Sequence, residues 1–501
     1  MRKLMVLLLA LLVAGPANAG WRMAETRHFR VFSEEGESSA IQRAALLEDF
    51  QSLLVTMTGR KLSADVPKLD VYLVRDVNLA SPGSRMAPGV VGFYRATAGG
   101  IAAVAATGGL GSGVQSVLLH EVAHHFMFAD ATIAFPAWYI EGFAEYFQTA
   151  IFSPDRIDFG RPDEGRVRWL LYGSWIEPEA LLDGSAARNR AAMFYAQSWL
   201  LTHWLFSTPE RRDSLVAYLR RTAAGEDPVQ AFRAEIEPNL RTLNPRLQAY
   251  MRNRGQFHFR RVRRAPIAPA DVTVTVLPQS ADRLLLPLFA IEQGVSSETG
   301  AALLGEIRAE SARHGKDAFA QRVLAAAELF HGETAAAVKI LDSLLEVTPT
   351  DSTLLRWRGL AALDQTRDPV AARRYFAQAF RSDPNDWRTL MAYVRTFPPE
   401  SLDDNGLRVL ERAWTLAPQV GDLAFMLARV YAEQNRLEEI ANVLQAVAWT
   451  PHGGRRAELA QAMIDRARQG DRPGLLAAFQ APPPEAEAPE EPPAPPVAQL
   501  R

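Results

Sequence analysis

Residues 118–147 read LLHEVAHHFMFADATIAFPAWYIEGFAEYF, a nearly continuous apolar run with three histidines and three glutamates. Charged side chains are rarely buried without a partner, because removing a charge from water is costly. The run therefore needs a group that pairs with its histidines and glutamates, which are His120, Glu121, His124, His125, Glu141 and Glu145.

The first of these residues form an H-E-x-x-H motif, His120 to His124. Ser112 and Gln115 fit a capping box, which predicts a helix over about 112–128. On that helix the two histidines share one face and can bind one Zn²⁺, with Glu121 in reach of a water on the ion. The alternative is a core helix that holds histidines by chance. The chain has no cysteine, so a metal site must use histidines and carboxylates.

Glu141 is the candidate third ligand. It lies on a second apolar helix, predicted to begin at Pro136 and to end near residue 149. Three protein ligands leave one open position, as a catalytic zinc site requires. Glu145 follows four residues later on the same face and is predicted to accept a hydrogen bond from the N–H of a ligand histidine. The alternative for these glutamates is a structural salt bridge to an arginine.

The segments HEVAHH and WYIEGFAEYF resemble the gluzincin metallopeptidases of the peptidase-MA group, and IEGFAEY is similar to the third-ligand segment of the aminopeptidase N family. The overall layout resembles bacterial exported peptidase-MA-like proteins with C-terminal tetratricopeptide repeats. The resemblance implies that His120, His124 and Glu141 bind zinc, that Glu121 is the general base and that Glu145 supports the ligands.

The resemblance also implies two features of substrate binding. Strand 101–106 would be the sheet edge that pairs with an extended peptide. Tyr195, or alternatively His203, would stabilise the oxyanion, although Tyr195 fits a core aromatic position equally well. No aminopeptidase signature lies upstream, and the gap before the third ligand is shorter than in that family.

His125 is not needed by this ligand set. It lies about 100° around the helix from His124, and a fourth ligand would close the site to water. We therefore predict a packed histidine or one that supports a ligand.

Length and composition limit the remaining possibilities. The chain has 501 residues and a formal net charge of -2, which argues against nucleic-acid binding. Residues 1–19 read as a signal peptide with an A-N-A cleavage site, which predicts a secreted or periplasmic protein without a membrane span in the mature chain. The alternative is an uncleaved anchor.

Residues 20–254 alternate strand-like and helical patterns, with a hairpin over 90–106, and predict an α+β, zincin-like domain with a mixed sheet and active-site helices. Residues 255–300 read as a linker or transition region because prolines interrupt them. The Pro- and Glu-rich segment 481–501 is predicted to be a disordered tail.

Residues 301–480 contain an internal repeat. Pro349, Pro384, Pro418 and Pro451 recur at intervals of 35, 34 and 33 residues, each closing a similar phrase. This period resembles tetratricopeptide repeats and predicts an all-α solenoid of about four helix pairs; the alternative is an irregular bundle.

The sequence thus predicts an exported zinc metallopeptidase that acts on a peptide or protein substrate and whose repeats bind a protein partner. The alternative is a non-catalytic repeat scaffold that carries a zinc site.

Overall fold

The structure is a computed structural model that describes residues 20–60, 63–83, 86, 90–107, 112–129, 134–253, 260–263, 271–451 and 453–480. The predicted signal peptide 1–19 and the predicted tail 481–501 lie outside these ranges. The described chain is a mixed α+β structure, with its strands in the first 276 residues and helices throughout the C-terminal part.

The strands form a six-stranded mixed sheet, in the order β4-β5-β3-β2-β1-β9, and a three-stranded sheet, in the order β6-β7-β8. In the large sheet β3 is parallel to both of its neighbours, and the other pairs are antiparallel. The strands are β1 (Arg22–Glu25), β2 (Phe29–Ser33), β3 (Leu69–Val74), β4 (Gly92–Thr97), β5 (Gly100–Ala106), β6 (Ile151–Phe152), β7 (Arg156–Phe159), β8 (Arg260–Arg263) and β9 (Thr273–Val276).

Nine helices accompany these strands in the described part of the chain up to residue 252. They are α1 (Glu37–Thr58), α2 (Ser112–Phe128), α3 (Ala137–Phe147), α4 (Glu164–Tyr172), α5 (Pro178–Leu182), α6 (Ala191–Phe206), α7 (Pro209–Ala223), α8 (Pro228–Glu235) and α9 (Leu243–Arg252). The predicted bounds of α2 and α3 agree with these to within two residues.

In the described residues after the large sheet, twelve further α-helices follow. They are α10 (Ala281–Gln293), α11 (Ser297–Arg313), α12 (Ala318–His331), α13 (Thr334–Val347), α14 (Ser352–Thr366), α15 (Pro369–Ser382), α16 (Trp387–Val394), α17 (Asp404–Leu416), α18 (Gly421–Glu433), α19 (Leu437–Ala448), α20 (Gly454–Arg468) and α21 (Arg472–Gln480).

Alternation along the strands gives the large sheet two buried faces, as a period of two residues requires. One face, which includes Val31, Val71 and Ala103, packs against α1 and α2. The opposite face, which includes Phe32 and Tyr72, packs against α10. The helix with the H-E-x-x-H motif therefore packs on one face of the sheet, and α10 packs on the other.

The segment predicted as a linker contributes to this sheet. Strand β9 pairs with β1 in antiparallel register, and Leu285 and Phe289 of α10 are buried against the second face. The prolines that loosened the sequence pattern flank these elements. The N-terminal fold thus extends to about residue 293, beyond the predicted boundary.

The expectation that strand 101–106 is the sheet edge is wrong. Strand β5 lies between β3 and β4, and β4 is the edge strand. The hairpin turn after Thr97 folds the two strands together, so that β4 covers the side of β5 that would otherwise be open.

The phased prolines mark helix pairs, as predicted. Each proline follows the end of the second helix of a pair by two or three residues, and the pairs are α12–α13, α14–α15, α16–α17 and α18–α19. Four pairs between residues 317 and 451 agree with the sequence estimate.

Among the described residues no helix combines the length and the apolar character needed to cross a bilayer.

The last pairs fold back onto the N-terminal part. The buried side chains of α16 to α20 belong to the same core as those of α2, α3 and α6. Polar contacts reinforce this packing: Arg412 bonds Asp65 at 2.9 Å, and Arg188 bonds Glu458 at 2.6 Å.

Candidate metal centre

Helix α2 brings the two motif histidines together. The rings of His120 and His124 lie one turn apart with centroids at 4.5 Å, and their Nε2 atoms are 2.9 Å apart. The His124 side chain is 6% exposed and that of His120 is 12% exposed, so both rings are largely buried.

Helix α3 presents Glu141 to this pair. The helix is buried over nearly its whole length, and Glu141 is fully buried. Gly142 permits this position, since a Cβ atom there would lie 2.3 Å from the carbonyl oxygen of Ser198 in α6. The glycine of IEGFAEY therefore lets α3 and α6 approach closely.

The three side chains could hold one metal ion between them. His120 Nε2 lies 3.4 Å from Glu141 Oε2, and His124 Nε2 lies 3.7 Å from Glu141 Oε1. These two distances end on different oxygens of the carboxylate, and one donor atom from each of the three side chains lies within 4.8 Å of the others. Among the described residues His120, His124 and Glu141 form the group whose ligand atoms converge in this way.

Three carboxylates act on His120. Burial alone would lower the pKa of His120, but the hydrogen bond and charge of Glu141, with the charges of Glu145 and Glu121, raise it to about 9. In the metal-free protein His120 is therefore protonated at neutral pH, and its positive charge faces these carboxylates.

Glu121 lies on the adjacent face of α2 and is half-buried. Burial raises the pKa of both Tyr94 and Tyr195 well above the usual range, and the charge of Glu121 adds to the rise in each case. The charge of Glu121 thus acts on a tyrosine from β4 and on one from α6.

Glu145 does not form the predicted hydrogen bond. Its Oε1 atom is 3.8 Å from His120 Nδ1, which is too long. Both carboxylate oxygens instead accept from Arg166 of α4, at 2.8 and 2.6 Å. This is the arginine salt bridge that the sequence left as the alternative. Glu145 still adjoins His120 and contributes to its raised pKa.

Arg166 is the residue of this site that the sequence did not reveal. The Asp163 side chain caps α4 by accepting from the Arg166 backbone N–H, and the guanidinium lies 5.1 Å from the ring centroid of Tyr195. Arg166 thus bonds the Glu145 carboxylate and also lies against the Tyr195 ring. The motif RVRW holds it, but nothing in that spacing distinguishes it from other arginines.

Tyr195 is brought to the site, whereas His203 belongs to the packing behind it. The Tyr195 ring is 6.4 Å from the His120 ring. His203 lies two helical turns further along α6, where Nδ1 is 2.8 Å from the Tyr250 hydroxyl and the ring packs on Trp199.

His125 is a packed histidine. It is buried, its Nδ1 atom is 3.2 Å from the Tyr94 hydroxyl, and burial lowers its pKa to about 4. The ring is therefore neutral near pH 7. This placement agrees with the expectation that His125 is not a fourth ligand.

Comparison of the chain with protein-family models, with curated proteins and with solved structures found no match. The functional argument therefore rests on the chemistry of the site.

Proposed function

We propose that this protein is an exported zinc metallopeptidase with a zincin-like catalytic part and tetratricopeptide-like repeats. The observation that carries the proposal is the convergence of His120, His124 and Glu141, with Glu121 adjacent on the same helix. The mixed sheet above α2 and the phased helix pairs support the two fold assignments.

The donor set favours zinc among the common ions. Two imidazoles and one carboxylate suit Zn²⁺, whereas Mg²⁺ and Ca²⁺ prefer oxygen ligands only. A structural zinc site normally has four protein ligands, so three ligands favour a site that keeps one position for substrate or water. When bound, the ion would polarise a peptide carbonyl and lower the pKa of water.

Glu121 is the candidate general base. It is not a member of the converging ligand group and lies within electrostatic reach of His120. We infer that its carboxylate takes a proton from the attacking water and gives that proton to the leaving amine nitrogen.

Tyr195 is the candidate oxyanion donor. Because burial raises its pKa well above the usual range, the phenol keeps its proton at neutral pH and can donate a hydrogen bond. The Arg166 guanidinium, which lies against the ring, holds the aromatic side chain beside His120.

A binding scaffold is the second candidate, favoured by the four helix pairs, since such arrays commonly bind peptides or proteins. In that function the metal would be retained but no peptide would be cleaved.

Glu121→Gln separates the two functions. We expect wild-type protein to contain one zinc ion per chain and to cleave members of a random peptide library, and Glu121→Gln to keep the zinc and lose turnover. Glu164→Gln, on the exposed start of α4, is the matched control and should retain activity. Zinc-loaded wild type that cleaves no peptide would overturn the enzyme proposal and favour the scaffold.

A further inference from the structure

A small cavity lies where the edge strand β4 meets the first two helices after the large sheet. Its volume is about 260 Å³, and its walls come from the loop after β3, from β4, from the end of α10 and from the start of α11. Pockets for drug-sized ligands are commonly about 300–1,000 Å³, so this cavity suits a smaller molecule. Because α10 packs on the sheet face opposite to α2, the cavity is separate from the candidate metal centre.

Arg95 of β4 gives the cavity its charge. It is the single charged residue among the described residues that line the cavity, and no acidic side chain is among them. The guanidinium carbon lies 4.9 Å from the Phe93 ring centroid, and within the described chain the group forms no ion pair. Burial lowers the pKa of Arg95, with no carboxylate acting against this effect. A cation withdrawn from water in this way favours an anionic partner.

Ser81, in the loop after β3, supplies a second polar group. It lines the same cavity and is 4% exposed. Its Oγ atom is buried and makes no hydrogen bond with any described residue. Buried hydroxyls nearly always have a partner, because an unpaired one loses its bond to water without replacement. The Ser81 hydroxyl is therefore a donor that a ligand in the cavity can satisfy.

The start of α11 forms the third wall. Ser296 caps this 17-residue helix by accepting from the Thr299 backbone N–H at 3.2 Å, and its hydroxyl donates to the Thr299 hydroxyl oxygen at 3.0 Å. The Thr299 hydroxyl can in turn donate to a ligand. Gly83 brings the loop onto this helix start, since a Cβ atom there would lie 2.2 Å from Thr299 Oγ1. A helix N-terminus carries partial positive charge and favours anions.

We propose that this cavity binds a small oxyanion, a phosphate or a carboxylate group, through the Arg95 guanidinium, the Ser81 and Thr299 hydroxyls and the start of α11. A strand, a loop and a helix each contribute one positive or donor group to the same space. The bound anion would link the edge strand of the sheet to the second helix after it. This inference does not depend on the proposed function.

The experiment measures binding of inorganic phosphate and of acetate by titration calorimetry, with chloride as the background anion at constant ionic strength. The test variants are Arg95→Met, which keeps the apolar contact with Phe93, and Ser81→Ala. The matched control is Arg75→Met, because Arg75 is 77% exposed and pairs with Glu34 at 2.7 Å. Thermal unfolding of each protein is recorded with and without the anion.

We expect wild type and Arg75→Met to bind one anion per chain with the same affinity. Binding should be at least about tenfold weaker in Arg95→Met and about two- to tenfold weaker in Ser81→Ala, since a charged hydrogen bond contributes more than a neutral one. The anion should raise the unfolding temperature of wild type but not that of Arg95→Met. The anion that binds more tightly identifies the group that the site prefers.

Two results would overturn the inference. One is the absence of saturable binding of either anion to wild type. The other is binding that persists unchanged in both Arg95→Met and Ser81→Ala, which would place the anion elsewhere, for example on a metal ion at the candidate metal centre. Without anion, Arg95→Met should unfold at a temperature no lower than wild type, because it lacks the uncompensated charge.

Discussion

Replacing Arg166 by methionine tests the buried ion pair beside the candidate metal centre. The Glu145 side chain is 1% exposed and the Arg166 side chain is 16% exposed, so water screens the pair little. Methionine keeps the packing of the aliphatic stem but leaves the Glu145 carboxylate without its bidentate partner. Removal of one member of a buried pair costs about 3–5 kcal/mol.

The matched control is Arg221→Met. Arg221 pairs with Glu226 and Glu235 on the surface, and its side chain is 45% exposed. Water and salt screen exposed pairs, so the control should change stability little. The free energy of unfolding is measured for both variants by urea denaturation of the metal-free protein, followed by tryptophan fluorescence.

A second substitution, at Glu145, completes a double-mutant cycle that tests this reasoning. Glu145→Gln in the Arg166→Met background replaces the Glu145 carboxylate, which has lost its arginine, by a neutral amide. Most of the lost stability should therefore return. A loss for Arg166→Met no larger than that of Arg221→Met would refute the reasoning, as would a double variant no more stable than the single one.

Three further predictions concern the repeats, the helix contact and the metal. Asp386→Asn should destabilise the protein by about 3–5 kcal/mol, because Asp386 is 4% exposed between Arg356 and Arg388, whereas Asp65→Asn, in an exposed pair that water screens, should change stability little. Burial alone would raise the pKa of Asp386, but the two arginines lower it well below its usual range. Its contribution is therefore present above the unfolded pKa of about 4 and lost as pH falls below that value, so urea denaturation should show wild type approaching Asp386→Asn in acid. Gly142→Ala should cost about 1–3 kcal/mol by forcing α3 from α6, whereas Gly305→Ala, in open space on α11, should stabilise by up to about 1 kcal/mol; equal effects in thermal unfolding would contradict this. Because the pKa of His120 is raised to about 9 in the metal-free protein, zinc binding at pH 7 should release about one proton from this ring, and calorimetry in buffers of different ionisation enthalpy measures it; no release at pH 7 would contradict the assignment.

Local patterns in the sequence predicted the elements that form the site. The H-E-x-x-H spacing, the start at Ser112 and the proline before α3 depend on contacts within one or two helical turns, and the structure has helices with these bounds. The phased prolines depend on the same short range, since each follows the end of a helix. The hairpin of β4 and β5 was predicted from its glycines.

The contacts between distant elements were not predictable in this way. Arg166 reaches Glu145 from 21 positions away, and Arg412 of α17 reaches Asp65 in the N-terminal part. No periodicity links such residues, because their meeting depends on how α4 and α17–α18 pack. For the same reason β9 was read as part of a linker, and the edge position of β4 followed only from the sheet order.

Zinc content is the most direct test of the central claim, that His120, His124 and Glu141 hold one metal ion. Wild type and Glu141→Gln are purified without chelator, dialysed together and analysed by plasma mass spectrometry, with protein concentration from absorbance. The account predicts one zinc per chain in wild type and almost none in Glu141→Gln. Zinc-free wild type, or full zinc occupancy in Glu141→Gln, would contradict it.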